Sequence, residues 1–127
     1  MVVIDTNIII DQLRRPKGSE SHLVQLIQKE SEKNVALSLL SVQELFEGKS
    51  SKEKRKQELL LATLSPLTIL PYTYDVARLA GEIARDSKQP IEFTDAAIAA
   101  TALLNKSSLL TLNKKDFDGI PGLQLYT

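Results

Sequence analysis

Cysteine is absent from the chain and histidine occurs once, at His22. Without thiols there is no disulfide, no thiolate zinc site and no cysteine nucleophile, and nothing can be read about redox compartment. One imidazole argues against a His-based metal site or a catalytic triad. An excess of one charge is missing too: 16 Lys plus Arg balance 16 Asp plus Glu. A basic chain would draw nucleic acid by long-range attraction, so here any such site must come from local placement of charge. Long apolar runs are lacking. Val2-Val3-Ile4 is interrupted by Asp5, and Ile8-Ile9-Ile10 by Asp11. Neither approaches a signal-peptide core or a membrane span, and a cytoplasmic protein without a membrane partner is the expectation. There are no repeats and no low-complexity tracts. No Gly-rich phosphate loop follows the first apolar run. The three Tyr and three Phe are scattered, so sequence-specific base reading by stacking has no support. Tyr72 and Tyr74 flank a helix start and read as packing residues; His22 reads as a surface residue.

What is present suits one domain over residues 1–127, with 43% apolar and 25% charged residues. Val2-Val3-Ile4 is a β-branched run, suited to a strand buried on both faces. Asn7 to Arg14 reads as a helix closed by Pro16 and Gly18, Ser19 to Lys33 as a second, and Val35 to Leu40 as the next strand. Ser41 begins a third helix, and Ser50 or Ser51 a fourth that runs to about Leu64. Leu67 to Leu70 is a strand. Thr73 to Ser87 carries Val76, Leu79, Ala80, Ile83 and Ala84 on one face of a helix. Thr94 caps an Ala-rich helix from Asp95 to Leu104. Leu109 to Leu112 is a fourth strand, with Leu123-Gln124-Leu125 as an edge strand. This alternation predicts an α/β fold, a mainly parallel sheet of four to five strands covered by helices on both faces. Ligands of such sheets bind at the carboxyl ends of the strands.

Acidic residues fall at that edge. Asp5 ends the first strand, Glu44 lies one turn into the helix after the second, and Asp116 follows the fourth. Asp95 opens a helix, and joins the set if that helix starts at the same edge. Carboxylates gathered there repel one another unless protonated or neutralised. Oxygen ligands without His or Cys suit magnesium or manganese, ions able to activate water and stabilise a phosphoryl displacement. Each acid has a plainer reading. Asp5 suits a helix cap. Ser41-Val42-Gln43-Glu44 has the form of a capping box. Asp95 favours a helix dipole, and Asp116 suits a surface turn.

Four segments resemble the motifs of PIN-domain nucleases: Ile4-Asp5-Thr6-Asn7, Leu40 to Leu45, Thr94 to Ala102, and Thr111 to Phe117. They occur in order across essentially the whole chain, which is similar to the small VapC toxins of type II toxin–antitoxin pairs. The resemblance implies a three-layer α/β/α sandwich. It also implies a metal-dependent endoribonuclease that hydrolyses RNA, with Asp5, Glu44, Asp95 and Asp116 as metal-binding acids. Supporting roles are implied for Asn7, which would orient the first aspartate, and for Thr111 or Asn113, which would shape the pocket near the last acid. Asp118 lies two residues from Asp116 and competes with it for the fourth place. A homodimer and a cognate antitoxin are implied as partners.

Substrate grip requires cations. Arg14, Arg15 and Lys17 are the candidates for phosphate contact, whereas Lys49 to Lys56 interleave with acids as a solvated helix face. Two rival readings remain. One is a PIN-like scaffold that binds RNA without cutting it. The other is a magnesium-binding phospho-acceptor domain, disfavoured because the strands ending at Leu40 and Leu70 carry no acid.

Overall fold

A computed structural model describes residues 1–16 and 18–127. Strand β1 (Val2–Ile4) is followed by α1 (Thr6–Arg14) and α2 (His22–Glu30), then β2 (Val35–Ser38), α3 (Leu39–Glu47) and α4 (Lys54–Leu64). The chain continues through β3 (Thr68–Leu70), α5 (Tyr74–Asp86), α6 (Phe93–Leu104) and β4 (Ser108–Leu110). The sheet order is β3-β2-β1-β4, with every pairing parallel.

This order explains the layers. Two steps in one direction, β1 to β2 to β3, put their crossover helices on one face. The return from β3 past β1 to β4 puts α5 and α6 on the other. The strand side chains alternate to match. Val2, Ile4, Val35 and Leu37 meet Ile8, Ile9, Leu23, Leu26, Leu60 and Leu64 on one side. Val3, Ala36, Leu70 and Leu109 meet Ile98, Ala99, Ala102 and Phe117 on the other. The small residues of α6 lie at 0–2% exposure from Ala96 to Ala102, which lets its backbone lie close to the sheet and to α5. The α/β/α sandwich expected from the sequence is the fold observed.

Several boundaries differ from expectation, each for a local reason. Helix α2 starts at His22 because the Ser21 side chain accepts from Val24 N, and it stops at Ser31, whose φ is 67°. Strand β2 ends at Ser38, which caps α3 by accepting from Leu40 N, so α3 begins before Ser41 with no loop between. Helix α4 is delayed to Lys54 by a 3-10 turn over Lys49–Lys52, where Ser51 donates its hydroxyl to backbone carbonyls of Phe46 and Gly48. Helix α6 starts at Phe93, which places Thr94 inside it rather than at its cap. The expected edge strand is reduced to one parallel bridge, Leu109 to Leu125. A turn closed by Leu123 N donating to Ile120 O brings the chain alongside β4 only at Gln124. Tyr74, expected to pack, is 81% exposed, and His22 is exposed as expected.

Candidate active site

Strand order reverses between β1 and β4, which opens a crevice at their carboxyl ends. Asp5 sits at its mouth. Its backbone N–H donates to Leu110 O at 2.9 Å, so the residue is still held by the sheet while its side chain leaves it. Asp5 is only 6% exposed. It occupies the cap position of α1 but its side chain makes no capping bond. Its Oδ2 instead accepts from Thr111 Oγ1 at 2.7 Å. Thr111 Oγ1 in turn accepts from Asn113 N at 3.0 Å, so the chain leaving β4 is fastened to the chain leaving β1. Asn7 adds to this seam: its Oδ1 accepts from Leu112 N at 3.4 Å. The hydroxyl holding the first aspartate is therefore that of Thr111, and Asn7 is engaged with the loop after β4.

Glu44 arrives from the other side. Because α3 is capped by Ser38, the Ser41 capping box does not form; Ser41 is buried in the first turns of the helix. Ser41 and Glu44 are three residues apart and share a helix face, and that face meets the start of α1. Thr6 Oγ1 donates to Glu44 Oε1 at 2.6 Å, and the Thr6 and Ser41 hydroxyl oxygens lie 2.8 Å apart. Sequence reasoning passed over the Thr6 hydroxyl and took Ser41 for a helix cap; the signal available was the placement of Thr6 directly after Asp5.

Asp95 is the third residue of α6 and is half-buried. Its carboxyl is pushed up to about 7, first by burial and then by the charges of Asp5, Asp116, Glu44 and Glu92. The charges that act on it most strongly are all negative. Asp5 is raised as well, chiefly by burial and further by Glu44 and Asp116, against the opposing hydrogen bonds from Thr111 and the Thr6 backbone. Asp116 lies on an exposed 3-10 turn, Lys114–Phe117, which the buried ring of Phe117 pins to the core. Asp5, Glu44, Asp95 and Asp116 thus come within electrostatic reach of one another from four separate segments. They do not close on a point: among the described residues no three His, Cys, Asp or Glu side chains stand close enough to cage an ion.

Asp118 is not among the main influences on Asp5 or Asp95. It lines a different cavity, of about 750 Å³, with Leu79, Ile83, Leu103 and Ile120. The expected substrate cations are also set apart. Arg14 ends α1, about 12 Å from Thr6 at the rise of a helix, and Arg15 follows it. Arg15 Nε is paired with Asp11 at 3.1 Å, which holds the Asp11 carboxyl below its usual range. Lys17 lies outside the described residues. Lys114 and Lys115, exposed on the turn that carries Asp116, are closer to the acids in the fold and were not singled out from the sequence.

A parallel sheet with this strand order, acids at its reversal point and no Gly-rich loop defines a class, and the chain belongs to the PIN-domain family, whose model matches residues 2–123. Its relatives there are named ribonucleases. Ribonuclease VapC19 of Mycobacterium tuberculosis is 35% identical over 127 residues, covering 98% of each chain. Ribonuclease VapC2 of Rickettsia felis is 30% identical over 128 residues, covering 97% of this chain and 94% of its own. Among solved structures, that of VapBC2 from Rickettsia felis bound to a DNA fragment from their promoter has a chain 27% identical to this one. The two superpose with a TM-score of 0.82, over 98% of this chain and 96% of that one.

Proposed function

We propose that this chain is an endoribonuclease and the toxin of a toxin–antitoxin pair, with Asp5, Glu44, Asp95 and Asp116 holding magnesium or manganese at the cleavage site. Its kinship with ribonucleases named VapC supports the activity. The observation that carries the site is Asp95, half-buried and pushed up to about 7 among negative neighbours. Such a surplus of buried negative charge is relieved by a proton or by a cation, and only the cation leaves the carboxylates free to act. An all-oxygen donor set fits a hard dication. When bound, that ion supplies a water activated at neutral pH and neutralises charge on the phosphodiester.

The chain's own residues do the rest. Asp5 and Asp95 would hold the ion. Glu44 keeps one carboxylate oxygen on Thr6 and would offer the other to the ion or to a water. Asp116, on the exposed turn, completes the site from the solvent side. Lys114 and Lys115 stand where they can meet the phosphates flanking the scissile bond. The expected products carry a 5′-phosphate and a 3′-hydroxyl. A homodimer and a bound antitoxin belong to the same reading. Large apolar side chains stand exposed at the starts of α3, α5 and α6, namely Leu39, Tyr74 and Phe93.

Cleavage of labelled RNA tests this. Activity should require magnesium or manganese, stop on chelation, and fall steeply in Asp116→Asn while Asp118→Asn cuts like the parent. Cutting that persists in EDTA would remove the metal. Equal loss in both variants would remove the assignment of Asp116. RNA binding without cutting under any divalent ion would leave the scaffold reading.

A further inference from the structure

The hydroxyl pair behind Glu44 has a direction. Thr6 Oγ1 carries one proton, yet two acceptors lie within reach: Glu44 Oε1 at 2.6 Å and Ser41 Oγ at 2.8 Å. A carboxylate has no proton to return. The Thr6 proton therefore goes to Glu44, and the Ser41 hydroxyl donates to Thr6. Ser41 is 0% exposed and Thr6 is 6% exposed, so water does not compete for either.

Stability alone does not ask for this arrangement. Other helical hydroxyls satisfy themselves on their own helix: Thr101 donates to Ala97 O at 2.7 Å and Thr63 to Leu59 O at 2.9 Å. Ser41 reaches across to α1 instead, on the helix face that carries Glu44. The chain is a match for the other clamp in the crevice, where Thr111 occupies Oδ2 of Asp5. Each clamp takes one oxygen of one acid, Oδ2 of Asp5 and Oε1 of Glu44.

We propose that Ser41 and Thr6 form a one-way hydroxyl relay that decides which oxygen of Glu44 faces the cation, making both of them positioning residues for the metal site. This rests on the proposed metal-dependent function. It assigns to two uncharged residues a share of the affinity for the ion, because partners that orient a ligand from behind typically contribute 10- to 100-fold.

Manganese alone is the probe, titrated into the full chain by calorimetry and followed by the electron paramagnetic resonance of the ion. Thr6→Val keeps the shape and removes the hydroxyl; it should weaken binding by about 10- to 100-fold and alter the spectrum of the bound ion. Thr6→Ser should restore binding to within about twofold. Ser41→Ala should weaken it less. Added to Thr6→Val, it should cost nothing further, because its effect passes through Thr6. If Thr6→Val does not fold, Ser41→Ala still has to change affinity and spectrum together. Parent-like binding in either folded single variant overturns the relay, as does multiplication of the two losses in the double variant. If the unaltered chain binds no manganese, the metal reading falls and takes the relay with it. If it binds and the variants bind equally, only the relay falls.

Discussion

Asp95→Asn should lose RNA cleavage by about a thousandfold or more, ~4 kcal/mol at the transition state, and at the same time become more stable than the parent without metal. The two effects share one cause. Asp95 is pushed up to about 7 from 3.8, by burial first and by its acidic neighbours second. At face value that displacement corresponds to ~4 kcal/mol. The side chain is only partly buried and solvent screens it, so a gain of ~1–2 kcal/mol at about pH 8 is expected. Asparagine keeps the shape and removes the charge. Urea unfolding of parent and variant in chelator reads the gain, and single-turnover cleavage reads the loss. A variant that is inactive because it is less stable would contradict the account. So would one that retains cutting.

The second large effect is a stability that depends on pH and on metal in a linked way. Below 3.8 the Asp95 carboxyl is protonated whether the chain is folded or not, and contributes nothing. Between 3.8 and about 7 the folded chain keeps a proton that the unfolded chain has released, so stability falls as pH rises through that window. Above it the penalty is complete. Asp5 is displaced in the same direction, also mainly by burial. Asp11 and Asp86 act oppositely, since Arg15 and Arg85 lower them. Their stabilising share is lost as pH falls, but Asp86 is exposed, Asp11 pairs with a solvent-facing Arg15, and such surface pairs contribute little. Chelated protein should therefore melt at a lower temperature at about pH 8 than at about pH 5.5. Magnesium should reverse the order. At roughly a hundred times its dissociation constant it adds ~2.7 kcal/mol, about 10 °C for a chain of this size. It should bind more weakly below about pH 7, where it must displace the Asp95 proton. Differential scanning fluorimetry across pH, with and without magnesium, checks the pattern. In Asp95→Asn the chelated curve should flatten.

Much of this site was legible before any coordinates. A charge placed directly after Val2-Val3-Ile4 has nowhere to go but the sheet edge, and alternation of strands and helices puts that edge in one place. The order β3-β2-β1-β4 was not legible, because local patterning does not say which side of β1 the last strand joins. Yet it is the reversal beside β1 that lets Thr111 meet Asp5 across 106 positions. Capping signals misled at two helices. Ser41 and Thr94 are both good caps in isolation, but Ser38 and Glu92 hold the cap positions, where the chain leaves β2 and where it enters α6. The misreading mattered for Glu44, whose capping box dissolves once Ser41 turns toward Thr6. Side-chain hydrogen bonds between residues 35 and 38 positions apart leave no periodic trace. Tyr74 failed for the opposite reason: an aromatic at a helix start says nothing about whether a neighbour covers it.

Anomalous diffraction at the manganese edge, from crystals of the chain grown with manganese, addresses the shared pocket most directly. An ion should appear in the crevice between β1 and β4, with oxygens of Asp5 and Asp95 at about 2.0–2.2 Å and Glu44 or Asp116 at its border. An ion bound only elsewhere, with these four side chains still apart, would contradict the account.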